Sequence, residues 1–119
     1  MNKIILAIFL TGSFTLAYAS EYIKNNGALS LSSDNGSAAF SINTSYDSSS
    51  GSCNMEGVAK LVGAGVGQKN RWVYSDSSSA CVAVISELKD GSVNVVTRSC
   101  ESYCGVSTAS SMDGKYKKE

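Results

Sequence analysis

The sequence predicts an all-β domain: a small antiparallel meander of about seven or eight strands, a sandwich or a barrel, held by two disulfides. Three observations predict it. Apolar and polar residues alternate in short runs along most of the chain after the first twenty residues. Asn-Gly and Asp-Gly pairs, the strongest two-residue hairpin signals, separate some of those runs. The chain holds 4 cysteines in 119 residues, an even number in a short sequence with an export leader.

The leader comes first. Lys3 gives a positive start, Ile4 to Leu10 a short apolar core, and Ala17-Tyr18-Ala19 the small-x-small pattern that signal peptidase accepts. The core is interrupted by Thr11, Gly12, Ser13 and Thr15, and a bilayer span needs about 20 apolar residues. No cysteine follows the cleavage site to carry a lipid. Residues 1–19 are therefore expected to be a signal peptide cleaved near Ala19. Residues 20–119 are expected to be a single periplasmic or secreted domain with no membrane span.

Charge excludes one class of partner. The sequence has 10 basic and 10 acidic residues, and removing Lys3 leaves 9 against 10, a net charge of about −1. Phosphate neutralisation requires a basic surface, so nucleic acid is not expected. Lys115, Lys117 and Lys118 nevertheless cluster near the end, as a solvated terminus or a local basic patch.

The first hairpin is expected around Asn35-Gly36. Counting outward, Asp34 faces Ser37, Leu31 faces Phe40 and Leu29 faces Ile42, which puts every large apolar residue on one face. After the loop Ser48 to Ser52, the alternation of Cys53, Met55, Gly57, Ala59 and Leu61 predicts a third strand. Gly63 to Asn70 reads as a flexible connection. It lacks the G-x-x-x-x-G-K-[ST] phosphate cradle and no helical pattern follows it. Arg71 to Tyr74 is a short fourth strand.

Cys81 to Lys89 and Ser92 to Cys100 flank Asp90-Gly91 and predict a second hairpin of type I′. Counting from that turn pairs Leu88 with Val93, Val84 with Thr97 and Cys81 with Cys100. By parity the two cysteines form a hydrogen-bonded pair with Cα atoms about 5.5 Å apart, within reach of a disulfide. Cys81–Cys100 leaves Cys53–Cys104, and the rival is Cys100–Cys104 with Cys53–Cys81. A zinc site is disfavoured by the absence of His and of any Cys-x-x-Cys pair. The run Val82 to Ile85 with Val93, Val95 and Val96 is apolar on both faces, which predicts the centre of the sheet. A further strand through Val106 to Ala109, a turn at Asp113-Gly114 and a last extended piece through Tyr116 complete the meander.

Catalytic chemistry has little to stand on. Histidine, the usual general base, is missing, and oxidised cysteines supply no thiolate. A Ser-Lys dyad around Ser110, Ser111 and Lys115, or a carboxylate pair drawn from Asp34, Asp47, Glu56, Asp76 and Glu87, has no distinguishing spacing. The chain is expected not to be an enzyme and to need no cofactor or metal. Trp72 and Tyr74, two apart, share a strand face and belong to the core or to a ligand cleft. Tyr116, between Lys115 and Lys117 beside Asp113-Gly114, makes a protein-contact set, since Tyr anchors interfaces and Lys seeks acids.

The order Cys53…Trp72…Cys81…Cys100-Glu-Ser-Tyr103-Cys104-Gly105…Asp113-Gly114-Lys115-Tyr116-Lys117 resembles a group of small exported bacterial proteins associated with periplasmic lysozyme inhibitors. The resemblance covers residues 53–117. It implies a small antiparallel β protein that inserts a turn bearing Ser, Lys and Tyr into the cleft of a lysozyme, against its catalytic acids. The corresponding residues here are Ser111, Gly114, Tyr116 and Lys115 or Lys117, with Ser110 in the same expected contact stretch, and Asp113 stands where that group has Ser before Gly. The function expected is thus a binding protein that inhibits a cell-wall hydrolase, lysozyme-inhibitor-like or immunity-type, whose partner is a lysozyme or another peptidoglycan hydrolase. The alternative is a structural or adhesive cell-envelope domain without activity.

Overall fold

A computed structural model describes residues 19–45, 51–104 and 109–119. Eight antiparallel strands follow one another around a closed barrel: β1 (Ser20–Lys24), β2 (Gly27–Asp34), β3 (Ser37–Ser45), β4 (Ser52–Val62), β5 (Gln68–Ser75), β6 (Val82–Leu88), β7 (Val93–Arg98) and β8 (Gly114–Lys118). Among the described residues there is no α-helix, only the short 3-10 turns Glu101–Tyr103 and Ala109–Met112. The predicted leader lies outside the described residues except for Ala19, as does the predicted strand segment Val106 to Thr108; Ala109 falls in the second 3-10 turn. β1 was not foreseen. It pairs with β2 through the turn Asn25-Asn26, with Asn26 at φ 63°.

Period-two alternation decides which side chains fill the barrel. Leu29 and Leu31 of β2, Phe40 and Ile42 of β3, Met55 and Ala59 of β4, Trp72 of β5, Ala83 and Ile85 of β6, and Val93 and Val95 of β7 all point inward and are buried. The interior is thus apolar and packed, the reverse of a barrel whose lipid-facing wall is its apolar one. The first hairpin has the expected register, with Leu31 opposite Phe40 and Leu29 opposite Ile42. Phe40 also faces Gly57 across β3 and β4, and a Cβ on Gly57 would sit 2.6 Å from the Tyr74 ring. Only the glycine lets that ring approach, where it packs edge-on against Phe40 with centroids 5.3 Å apart.

The second hairpin differs by one residue. The Leu88 N–H donates to the Ser92 carbonyl at 2.8 Å and the Gly91 N–H to the Leu88 carbonyl at 3.0 Å, so the loop is Lys89-Asp90-Gly91, with Gly91 at φ 93°. A three-residue loop with a left-handed glycine shifts the ladder, pairing Glu87 with Val93 and Val82 with Arg98. Counting on would put Cys81 opposite Ser99. Ser99, at φ 59°, takes up the extra residue and brings Cys100 opposite Cys81. The disulfides are Cys81–Cys100 and Cys53–Cys104, as the favoured pairing required. The Cys81–Cys100 Cα separation of 4.5 Å is shorter than the 5.5 Å expected, because the shifted ladder removes the pair from a hydrogen-bonded position.

Closure also corrects the expectation that β6 and β7 form a sheet centre covered on both faces. A closed barrel has no second layer. Val82 and Val84 are half-buried on the outside and Val96 is 49% exposed there.

Candidate functional site

The contact residues expected from sequence lie around the last strand, and the structure separates them. Ser110 lies in the 3-10 turn Ala109–Met112. The Ser111 hydroxyl bonds the Thr44 hydroxyl of β3 at 2.7 Å, tying the turn to the barrel mouth beside Cys53. Met112 follows as a fully buried plug. Asp113 Oδ1 accepts from the Thr97 backbone N–H at 2.8 Å and from its hydroxyl at 2.7 Å. Gly114, at φ 134°, then starts β8 in a conformation unfavourable for any side chain.

Tyr116 is the clear correction. It is 0% exposed, and its hydroxyl donates to the Met112 carbonyl at 2.7 Å. On β8 it faces Val93, and the inward parity that makes Val93 core makes Tyr116 core. Its neighbours point outward: Lys117 is exposed, and Lys115 forms an ion pair with Asp90 at 3.2 Å. The Asp113-Gly114-Lys115-Tyr116 stretch therefore closes the barrel between β7 and β1, and of the five expected contact residues only the two lysines present exposed charge.

Several of the candidate catalytic groups are occupied in structural roles. Ser111 bonds Thr44 while Lys115 bonds Asp90, so these two form no Ser-Lys dyad. Asp76 accepts from the Ser78 N–H at 2.9 Å, the Ser78 hydroxyl at 2.8 Å, the Ser79 hydroxyl at 3.2 Å and the Tyr103 hydroxyl at 2.7 Å. These bonds, that from Tyr103 first, hold its carboxyl at about 2, so it stays ionised at neutral pH and accepts no proton. The Tyr103 hydroxyl also meets that of Tyr74 at 3.1 Å. Tyr74 is thus half-buried in a hydrogen-bonded loop clasp, and Trp72 is core. Glu87 is held by Asn70 at 2.8 Å and by Lys69 at 3.9 Å. Glu56 and Asp34 are exposed on the surface, and Asp47 lies outside the described residues. Among the described residues no group of three His, Cys, Asp or Glu side chains is placed to hold a metal ion.

What sequence reasoning missed is on the outside of β4 to β7. The ladder aligns Lys60 with Val73, Val73 with Val84 and Val84 with Val96, one row across four strands. The adjacent row carries Val58, 60% exposed, then Ser75, Val82 and Arg98. By contrast the outward positions of β2 and β3 are Ala28, Ser30, Ser32 and Asp34, and Ser37, Ala39, Ser41, Asn43 and Ser45. One wall is small and polar; the other is a valine sheet with cations at its margins. The signal was present in the valines at outward parity, which a two-layer reading assigns to a buried sheet.

No protein-family model, curated protein or solved structure matches this chain. The site must therefore be judged on its own chemistry. The valine rows, beside the mostly small and polar outward positions of β2 and β3, are the candidate interaction surface.

Proposed function

We propose that this chain is a binding domain of an oxidising compartment that docks on a protein partner, and that the partner is a cell-wall hydrolase which it restrains by occlusion. The observation that carries this reading is the exposed valine wall of β4 to β7 on a barrel whose β2 and β3 positions are small and polar. Two disulfides fit a periplasmic or extracellular setting and give a small core the rigidity that a docking surface needs. The export leader and the resemblance to lysozyme inhibitors supply the hydrolase. In this reading occlusion does not depend on inserting Tyr116, whose ring is core; Lys115 and Lys117 remain as surface charges beside the wall.

The test is direct. The purified secreted chain is assayed by calorimetry and by peptidoglycan turbidity against a panel of lysozymes and amidases. Stoichiometric binding with loss of hydrolysis is expected for at least one. A chain that neither binds nor inhibits any of them is not a hydrolase inhibitor.

A further inference from the structure

We propose that the outer wall of β4 to β7 docks an acidic protein segment, one that presents an apolar stripe flanked at both ends by carboxylates. This rests on the reading of the chain as a protein-binding domain that uses this wall and adds the partner's chemistry. The first row of the wall begins at Lys60 on β4 and continues through Val73, Val84 and Val96. The second ends at Arg98 on β7, opposite Val82. The valines form the centre and the two cations stand at opposite margins. Neighbouring strands lie about 4.8 Å apart and residues rise about 3.4 Å, so three strand steps and one row of offset separate Lys60 from Arg98 by roughly 16 Å.

Both cations are exposed, and neither joins an ion pair among the described residues. Glu56, before Val58, is the acid that shares the outward parity of β4. The local balance is therefore cationic although the mature chain is not. A partner carrying carboxylates at that spacing would be steered to the wall and held in register, while the valines exclude water between the two charges.

A second copy of the chain fits less well. Four strands and two to three rows make a wall of roughly 300–400 Å², against about 800 Å² per partner in a standard interface, and a two-fold contact would bring the cations of both copies together. A lipid surface also fits less well, because the two rows contain no Trp or Tyr to anchor at the headgroups. The closed barrel presents this wall through its side chains, so the partner packs on them instead of adding a strand.

The experiment uses a defined probe. A cyclised β-hairpin peptide carries valines between two glutamates about 16 Å apart on one face, and its twin carries lysines in place of the glutamates. Each is titrated to millimolar concentration into the 15N-labelled secreted chain. The expected result is shift changes confined to Val73, Val84, Val96 and their neighbours for the glutamate peptide alone. K60E/R98E, both exposed positions, should weaken that peptide at least ten-fold and should bind the lysine twin instead. Absent or scattered shifts, equal response to both peptides, a wall-dependent dimer in light scattering, or co-sedimentation with phosphatidylglycerol vesicles would each overturn the proposal. A hydrolase bound equally well by K60E/R98E removes this inference and leaves the inhibitor reading standing. Peptide binding at the wall without any hydrolase partner does the reverse.

Discussion

Asp113 accepts two hydrogen bonds from one residue, Thr97: the backbone N–H at 2.8 Å and the side-chain hydroxyl at 2.7 Å. Thr97 is on β7 and Asp113 immediately precedes β8, so this double contact sets where the last strand begins. Only three residue pairs, from Val93–Tyr116 to Val95–Gly114, join β7 to β8, and two join β8 to β1. The closing seam is short, and Asp113 fastens one end of it.

Asp113→Ala should therefore cost about 2–3 kcal/mol, the value of losing an ionised acceptor with two donors left behind. For a domain of this size that is a fall in Tm of roughly 10–20 °C. Asp113→Asn keeps an acceptor oxygen and should lose less than half as much. Thermal unfolding followed by circular dichroism measures both, and equal losses would remove the charge from the account.

Tyr116 gives a second prediction, because a core ring and a contact ring respond differently. Tyr116→Phe gives up only the bond to the Met112 carbonyl, about 1 kcal/mol, whereas Tyr116→Ala empties a buried site and should cost about 3–5 kcal/mol. Binding to any partner should survive in Tyr116→Phe. Burial first, then the Asp113 charge, pushes the Tyr116 hydroxyl above its ordinary value of 10.0. The native state keeps this proton when the unfolded chain has released it, so its stabilisation is complete below pH 10 and is lost as pH rises further. Denaturant midpoints between pH 9 and 11 should fall less steeply in Tyr116→Phe. Tyr103, raised by its bonds to Tyr74 and Asp76, supplies part of the slope that remains.

The sequence was legible where turn chemistry and alternation agreed. Asn35-Gly36 placed Leu31 opposite Phe40 because a two-residue loop leaves one register open. Asp90-Gly91 misled by one residue, since the same dipeptide also ends a three-residue loop, and Ser99 concealed the slip by restoring the cysteine match. β1 was overlooked because its turn is Asn25-Asn26, and a left-handed Asn26 is a weaker signal than a glycine. Tyr116 was misread for a different reason. Asp113-Gly114-Lys115-Tyr116 has the composition of an exposed turn, and only the pairing of Val93 with Tyr116 shows that the tyrosine faces inward. The valine wall needed closure itself, which no local pattern encodes.

Gly57 tests the packing between β4 and β5. An added Cβ would meet the Tyr74 ring at 2.6 Å, and that ring is fixed by Phe40 on one side and by the Tyr103 hydroxyl on the other. Gly57→Ala should destabilise by about 1–3 kcal/mol through overpacking, despite the better strand propensity of alanine. The double variant Gly57→Ala/Tyr74→Leu should recover part of the loss, and additive losses in urea unfolding would break the link between these two sites.

The disulfides differ in reach. Cys53–Cys104 spans 51 residues and Cys81–Cys100 spans 19, so chain entropy assigns them about 4 and about 3 kcal/mol. Serine replacement of each pair should follow that order in urea midpoints. The Cys53/Cys104 pair also carries the link from β4 to the segment after β7. Its loss should expose Tyr103 to solvent, which tyrosine fluorescence quenching by iodide reports.

Acid sensitivity follows from Asp76. Its hydrogen bonds hold the carboxyl at about 2, while in the unfolded chain it titrates near 3.8. A lowered native value means that the stabilisation is present above the unfolded value and disappears as pH falls from about 4 through about 2. Asp90, lowered by Ser92 first and then by Lys115, extends the loss to still lower pH. Urea midpoints of the wild type should thus decline through this window. Asp76→Asn should flatten the upper part of the decline at the expense of stability at neutral pH. Tyr103→Phe removes the leading cause of the Asp76 shift, so the decline should begin at the same pH but end at a higher one and be smaller, as a proton titration of the Asp76 carboxyl by NMR would confirm. An unchanged titration in Tyr103→Phe would mean that the serines of the loop, Ser78 and Ser79, hold the carboxylate without the tyrosine.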